Sequence, residues 1–198
     1  MIGRLPTTLT VCGKEHAIRT DFRDILQIVT KLENPDLSEE EKTLIMFIIL
    51  FPEFQDSDLL LDDPERAVCE AFPDLEEAGR KAAWFIDCGD SYDDKPGPRL
   101  IDWEQDEGII FPAVNKVAGT ETRLTEYLHW WTFMGYFMEI GDGLFSQVLN
   151  IRQKKAKGKK LEKWEREFYA SNKHMCRLEP RLTKEEQEEK ERLEKMLG

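Results

Sequence analysis

The chain has 198 residues, a length that suits one domain with room for an appendage. Hydrophobic residues make up 40% of it, which is enough to build a core and excludes wholesale disorder. The net charge of −12 argues against a general binder of nucleic acid or of anionic membranes, because phosphate groups attract positive surfaces.

The N-terminal part predicts a hairpin and a first helix. Residues 7–19 contain alternating Thr and apolar residues, and the Gly-Lys pair at residues 13–14 suits a two-residue turn between two strands. Thr20 or Asp21 is expected to cap the first helix, which the Asn-Pro pair at residues 34–35 ends.

Further helices are predicted in the acidic half of the chain. Ser38 and Glu41 form a capping-box pattern that opens the second helix, and Pro52 closes it. Pro64 suits the first turn of a short helix, and residues 75–87 have helical spacing. The intervening stretches, residues 56–63 and 88–98, have the composition of loops.

The most apolar segment predicts one long helix over about residues 122–140, after a helix that starts at Asp102 and ends near Gly119. Its apolar residues cover two faces at helical spacing, so the helix must be buried on most sides or must dock a partner helix. On the first of these readings, Trp131 is expected to lie in the core. A groove of aromatic and methionine side chains suits a partner helix, and the residues predicted to bind one are Trp130, Phe133, Met134, Phe137 and Met138.

The C-terminal part is basic and then strongly charged. Residues 144–151 are expected to be helical, residues 152–160 to form an exposed basic connector, and residues 161–171 to be helical again. Residues 183–197 predict a charged helix with few apolar side chains. Together the elements indicate a mainly α protein, with one compact helical domain over residues 1–178 that carries a short N-terminal β-hairpin at about residues 7–19, and a peripheral C-terminal helix within residues 179–198.

Charge is distributed unevenly along the chain. Residues 36–107 hold 22 Asp/Glu against 6 Lys/Arg, whereas residues 152–177 hold 10 Lys/Arg against 3 Asp/Glu. Such asymmetry favours head-to-tail self-association or attraction of a charged partner, and it is also typical of two solvated faces. The acidic stretch further suits an inhibitor that imitates DNA.

No group of residues predicts catalysis or a cofactor. The histidines, His16, His129 and His174, are not embedded in any nucleophile-elbow, zinc-hydrolase or phosphate-loop motif. Asp102 and Asp106 share a helix face, and carboxylates at a helix start are more common as caps than as metal ligands. We therefore expect no enzyme, no cofactor and no metal site.

The sequence also contains features that indicate the cellular compartment of the protein. No apolar run follows the first charged residue, and the longest apolar run, residues 44–51, is much shorter than the roughly 20 residues of a membrane-spanning helix. The four cysteines have no Cys-x-x-Cys spacing, so we expect reduced thiols. These features predict a soluble cytoplasmic protein that binds neither membranes nor nucleic acid.

Three stretches carry a family resemblance. The first is Thr-Val-Cys-Gly-Lys-Glu-His-Ala-Ile-Arg-Thr-Asp-Phe-Arg at residues 10–23, and the second is Ile-Asp-Trp-Glu-Gln-Asp-Glu-Gly-Ile-Ile-Phe at residues 101–111. The third is His-Trp-Trp-Thr-Phe at residues 129–133, followed by Phe-Ser-Gln-Val-Leu-Asn-Ile-Arg at residues 145–152. In order and spacing they resemble the bacteriophage gp-fifteen family of siphophage and prophage proteins over about residues 7–170. The chain departs from that family at residues 119–123 and in the acidic loop after residue 88.

The resemblance implies a mainly helical protein without a known cofactor or catalytic residue. It also implies a gene between those of the tail tube and the tape measure, and hence a tail assembly chaperone in the host cytoplasm. Such a chaperone coats the helical tape-measure protein, with the tail-tube protein as a second candidate partner. The alternatives are a structural tail or connector subunit of the virion and the DNA-imitating inhibitor.

Overall fold

The computed structural model describes residues 2–54, 63–90 and 97–197. The loops predicted at residues 56–63 and 88–98 therefore lie largely outside the described residues. The described part is about 60% helical and contains ten α-helices, two short 3-10 helices and one two-stranded antiparallel sheet. The prediction of a mainly α protein with an N-terminal hairpin and a C-terminal helix is confirmed.

The chain forms two compact units. The hairpin unit comprises residues 6–85 and 180–198, and the tryptophan unit comprises residues 1–5 and 86–179. The single domain expected over residues 1–178 stays a prediction. Among the described helices, none is both long enough and apolar enough to cross a bilayer.

The hairpin pairs β1 (Thr8–Val11) with β2 (Lys14–Ala17), so that Thr8 faces Ala17 and Val11 faces Lys14. Its turn lies at Cys12-Gly13, one residue before the predicted Gly13-Lys14. Both central residues have positive φ, +49° and +78°, the pattern of a type I′ turn that matches the twist of the strands. The Glu77 carboxylate accepts the Cys12 N–H at 3.0 Å and holds this strained residue in place.

Two capped helices follow, and both caps were predicted. Helix α1 (Phe22–Leu32) begins after Asp21, whose carboxylate accepts the Arg23 N–H at 3.0 Å. Helix α2 (Glu39–Leu50) begins with the reciprocal Ser38 and Glu41 hydrogen bonds of a capping box. The two helices pack against each other, and the Arg19 N–H donates to the Leu50 carbonyl at 2.8 Å.

The hairpin unit is completed by a 3-10 helix (Pro52–Phe54), α3 (Pro64–Ala71) and α4 (Leu75–Ile86), whose last residue already belongs to the tryptophan unit. Pro64 occupies the first turn of α3, as predicted. The core is aromatic, and its rings belong to His16, Phe47, Phe51, Phe54 and Phe72. His16 is buried, and its ring centroid lies 4.8 Å from that of Phe72. Its Nδ1 atom lies 2.9 Å from Glu53 Oε1.

The C-terminal helix, which in the structure is the tenth (Lys184–Leu197), is peripheral, because its side chains from Lys184 to Met196 are all exposed. The residues just before it are tied to the hairpin unit. Arg181 pairs with the Glu33 carboxylate, and the Lys184 N–H donates to Asp36 Oδ1 at 2.8 Å. The attachment of this segment therefore depends on its N-terminal end.

The tryptophan unit contains α5 (Glu107–Ala118), a 3-10 helix (Thr122–Leu124), α6 (Trp130–Met138), α7 (Leu144–Ala156), α8 (Lys163–Ser171) and α9 (Lys173–Cys176). Helix α5 packs against α6 and α7, and α9 packs against α7 and α8. Gly119 ends α5 in the left-handed conformation at φ +71°, as expected for a helix C-cap. These contacts make α5 and α7 the framework of the unit.

The predicted long helix over residues 122–140 is wrong at its start. Helix α6 begins at Trp130, because His129 has extended backbone angles and its Nδ1 accepts the Trp131 N–H at 3.0 Å. Histidine is not among the usual N-cap residues, so the sequence did not mark this boundary. Leu124 falls in the preceding 3-10 helix and is 84% exposed.

Two further boundaries differ from prediction. Helix α5 begins at Glu107, while Asp102 instead caps the turn before it by accepting the N–H groups of Glu104 and Gln105. Helix α7 continues to Ala156, so Arg152 lies in a helix and not in an exposed connector. Arg152 is in fact buried, because it forms an ion pair with the buried Asp106 carboxylate.

Candidate partner-binding surfaces

The five residues predicted to bind a partner lie on α6, but they differ in exposure. Trp130 and Phe133 are buried, Met134 and Phe137 are half-buried, and Met138 is 62% exposed. The Trp130 indole N–H also donates to the Ile86 carbonyl at 2.8 Å. A partner that meets the folded chain therefore reaches Met138 most directly, and binding by the group as a whole stays a prediction.

The buried face of α6 forms the core of the tryptophan unit. The Phe133 ring stacks on Trp130 with 5.9 Å between centroids, and it also lies 5.9 Å from the Phe111 ring on α5. Phe137 extends the cluster to Trp103 and to Phe145 on α7, at 5.0 and 5.6 Å. Aromatic pairs at such distances stabilise a core beyond the area they bury. The aromatic side chains of this segment therefore stabilise the fold, whether or not some of them also bind a partner.

A groove of about 490 Å³ runs between α5 and the turn that joins α6 to α7. Its walls are mostly small or apolar, and they include Gly108, Ile109, Pro112, Ala113, Val117, Ile140, Gly141, Gly143, Leu144 and Phe145. Val117 and Leu144 are exposed there, although both are large and apolar. We call this surface the α5 groove.

The α5 groove has features that favour a helical ligand. Glycine and alanine on its walls allow a backbone to approach closely, and the exposed apolar side chains supply surface to bury. Pro112 has no N–H to donate to the Gly108 carbonyl, which lies on the same wall. Of these features, only the helix break at residues 141–143, Gly-Asp-Gly, is marked in the sequence, and it does not indicate which residues line the groove.

Helix α7 carries a buried ion pair. Arg152 contacts Asp106 with two parallel hydrogen bonds, from Nη1 to Oδ2 at 2.5 Å and from Nη2 to Oδ1 at 2.7 Å. Nη1 also donates to the Leu100 carbonyl at 2.8 Å, and Nη2 donates to the Met175 carbonyl. One guanidinium thus joins α7, the start of α5, the preceding loop and the end of α9.

The loop before α5 is fixed by polar contacts at its surface as well. Arg99 pairs with Asp102 and donates to the Glu179 carbonyl at 3.0 Å. Gln105 donates to the Arg177 carbonyl at 2.6 Å and accepts the Glu179 N–H at 2.9 Å. The acidic cluster at residues 102–107 therefore has structural partners in the tryptophan unit.

A second buried carboxylate, Glu165, holds α8 against α7. Its Oε1 atom accepts from Lys154 Nζ at 2.6 Å and from Asn150 Nδ2 at 2.9 Å, and its Oε2 atom accepts the Glu162 N–H at 2.7 Å. The hydrogen bond from Lys154, followed by that from the Glu162 backbone, lowers the pKa of the Glu165 carboxyl. The charged form is therefore the one that the fold favours.

We expect Glu165→Gln to destabilise the protein at neutral pH and to matter progressively less in acid. A carboxyl with a lowered folded-state pKa stabilises above its unfolded pKa of about 4.3, and the contribution is lost as the pH falls through the folded value. Urea midpoints of wild type and variant, measured from pH 7 downward, should begin to converge as the pH falls below about 4.3 and should meet once it is below the lowered folded-state pKa. Glu167→Gln, on the exposed side of α8, is the control. If the difference between the urea midpoints of wild type and Glu165→Gln did not depend on pH, the charged Glu165 carboxylate would not be the stabilising form.

The basic stretch also forms a cleft of about 290 Å³ that four cations line, namely Arg99, Arg152, Lys155 and Arg177. Arg177 Nε donates to the Tyr169 hydroxyl at 2.8 Å, and Lys155 Nζ lies 4.0 Å from the centre of the Tyr169 ring. These two cations lower the pKa of the Tyr169 phenol. Since Arg99 and Arg152 already pair with aspartates, the cleft is a weak anion site at most.

The remaining residues of chemical interest have structural surroundings. All four cysteines are free thiols, and burial raises the pKa of the Cys88 thiol to about 11 and that of Cys176 above its usual value. Both are therefore poor nucleophiles at neutral pH. Within residues 2–54, 63–90 and 97–197, no cluster of three or more His, Cys, Asp or Glu side chains has the geometry to hold a metal ion.

These features define a helical protein with an apolar groove, held together by buried ion pairs. A family model described as Bacteriophage Gp15 protein matches residues 1–178. The chain therefore belongs to the bacteriophage Gp15 family, as its motifs suggested. Comparisons with curated proteins and with solved structures gave no match.

Proposed function

We propose that the protein is a phage tail assembly chaperone that binds the tape-measure protein in the host cytoplasm. The role requires no catalysis, and the tail-tube protein is a second candidate partner. Membership of the phage family supports a phage-related role, and the gene position implied by the resemblance supports the tape measure as partner. The α5 groove is the single feature of the structure that favours this function most.

The α5 groove suits a tape-measure helix for a physical reason. A long helical protein that awaits its tube exposes apolar stripes, and a groove with small walls and exposed Val117 and Leu144 can cover one turn of such a stripe. Met138, from the predicted binding residues, is exposed on the helix that leads into the same turn. A methionine adapts to varied partner surfaces because its side chain is flexible.

The proposal predicts a soluble complex that survives salt. Co-expression of this chain with the tape-measure protein of its phage should yield a complex on size-exclusion chromatography at both low and high salt, because apolar burial depends little on ionic strength. Val117→Glu and Leu144→Glu should each abolish the complex. Leu124→Glu is the matched control, because it places the same charge on an exposed leucine outside the groove.

Other outcomes favour the alternative functions. A tape measure that stays equally insoluble with and without this chain would overturn the chaperone proposal. Recovery of the chain from purified virions by mass spectrometry would favour a structural subunit. Salt-sensitive competition with DNA for a host enzyme would favour the DNA-imitating inhibitor, since contacts to such an enzyme are largely electrostatic.

A further inference from the structure

The hairpin unit carries an apolar groove with an acidic rim. The groove has a volume of about 390 Å³ and lies where α2 and α3 meet the start of α4. Its apolar lining consists of Leu44, Phe47, Val68, Cys69 and Leu75. Phe47 and Val68 are buried, whereas Leu75 is exposed although it is apolar. We call this surface the α2 groove.

The rim of the α2 groove consists of three exposed carboxylates, Glu39, Glu40 and Glu65. Lys42 pairs with Glu39 at 2.7 Å. Within the described residues, no cation forms an ion pair with Glu40 or Glu65. The groove therefore selects an apolar side chain that has cations beside it.

The tryptophan unit exposes such a side chain on α8. Trp164 is 51% exposed, although its own helix buries Glu165 at the next position. Lys163 directly precedes Trp164, and Lys160 lies four residues before it. Both lysines are exposed, and in the part of the chain that the structure describes neither forms an ion pair. Tryptophan is one of the residue types that dominate binding at interfaces.

The two units also differ in total charge. The hairpin unit contains 13 Lys/Arg and 24 Asp/Glu, a net charge of −11, whereas the tryptophan unit contains 15 and 16, a net charge of −1. The acidic groove thus belongs to the unit that repels anions, and the basic segment around Trp164 belongs to the other. The strongly acidic unit attracts the basic stretch at residues 152–177, which holds 10 Lys/Arg against 3 Asp/Glu, and this attraction steers two copies of one chain into a head-to-tail encounter.

We infer that the protein associates head to tail with further copies of itself, with Trp164 of one copy bound in the α2 groove of the next. The tryptophan ring buries against Leu44 and Leu75, while Lys160 and Lys163 face Glu40 and Glu65. Each added copy brings one groove and one tryptophan, so contacts that repeat in one direction build an open chain or a closed ring, whereas a reciprocal pair would stop at a dimer. The inference does not depend on the proposed binding of the tape measure.

Complementary variants of the full chain test this arrangement. Sedimentation velocity of wild type alone should show species larger than a dimer that grow with concentration and shrink at high salt. Trp164→Ala keeps the groove and loses the tryptophan, whereas Glu40→Lys combined with Glu65→Lys keeps the tryptophan and reverses the rim. Each variant alone should be monomeric, with association weakened roughly thirtyfold or more for Trp164→Ala.

A mixture of the two variants gives the decisive result. One intact groove and one intact tryptophan remain, so a one-to-one dimer should form and nothing larger. Trp84→Ala, which removes another exposed tryptophan, should leave wild-type association unchanged. A wild-type chain that is monomeric at every concentration, an oligomer that survives Trp164→Ala, or a mixture that fails to form the dimer would overturn the inference.

Discussion

Replacing Arg152 with alanine is expected to destabilise the protein by about 3–5 kcal/mol, because the substitution leaves the Asp106 carboxylate buried without its partner. Both side chains are almost fully buried, so water cannot take over the lost contact. A typical domain is stable by only about 5–15 kcal/mol, so this loss is a large share of the total. The urea midpoint of unfolding, or loss of soluble expression, measures the effect.

Two controls separate the charge from the shape of Arg152. Lysine keeps the charge but cannot form two parallel hydrogen bonds to one carboxylate, so Arg152→Lys should remain clearly destabilised. The double replacement Asp106→Leu with Arg152→Met removes both charges and should recover part of the stability. If Arg152→Ala and the wild type had the same urea midpoint of unfolding, the ion pair would not stabilise the tryptophan unit.

The burial of Arg152 shows where sequence patterns fail. Arginine is rarely buried, and the basic run that follows made a solvated connector the natural interpretation. Yet Phe145, Val148 and Arg152 recur at the spacing of one helix face, and the first two are buried. The spacing therefore indicates that Arg152 belongs to the buried face of the helix. This interpretation becomes plausible only once Asp106 is known to lie within hydrogen-bond distance of Arg152.

Elements with local signals were predicted well. The Asp21 cap, the Ser38 and Glu41 capping box and Pro64 each act within one helical turn, so tertiary contacts do not override them. The hairpin was also recognised, but its turn was placed one residue late, because Cys12 at positive φ is rare for a non-glycine residue. Boundaries set by unusual residues were thus the least predictable.

The candidate binding surfaces depend on tertiary structure, and the sequence indicated them only in part. The residues predicted for binding share α6, yet one face of that helix is core and Met138 alone among the five is exposed. The α5 groove combines residues more than thirty positions apart, from Gly108 to Phe145, and no periodicity links them. Its existence follows from how α5 packs on α6 and α7.

Replacing Phe133 with alanine is expected to cost about 3–5 kcal/mol, because its ring is fully buried and the cavity left behind can collapse only partly. Phe133 lies between Trp130 on its own helix and Phe111 on α5, so the substitution loosens α6 from the framework of the unit. Thermal or urea unfolding followed by tryptophan fluorescence measures both the loss and the disturbance of the neighbouring indole.

The comparison of Phe133 with Trp131 decides where the core lies. The sequence favoured Trp131 as the core residue, but with α6 starting at Trp130 the Trp131 side chain is only half-buried. Trp131→Ala should therefore cost clearly less than Phe133→Ala, although it removes more atoms, and Leu124→Ala should change stability by less than about 0.5 kcal/mol. A larger loss for Trp131→Ala than for Phe133→Ala would mean that α6 turns its other face to the core, and the groove beside it would then need a different description.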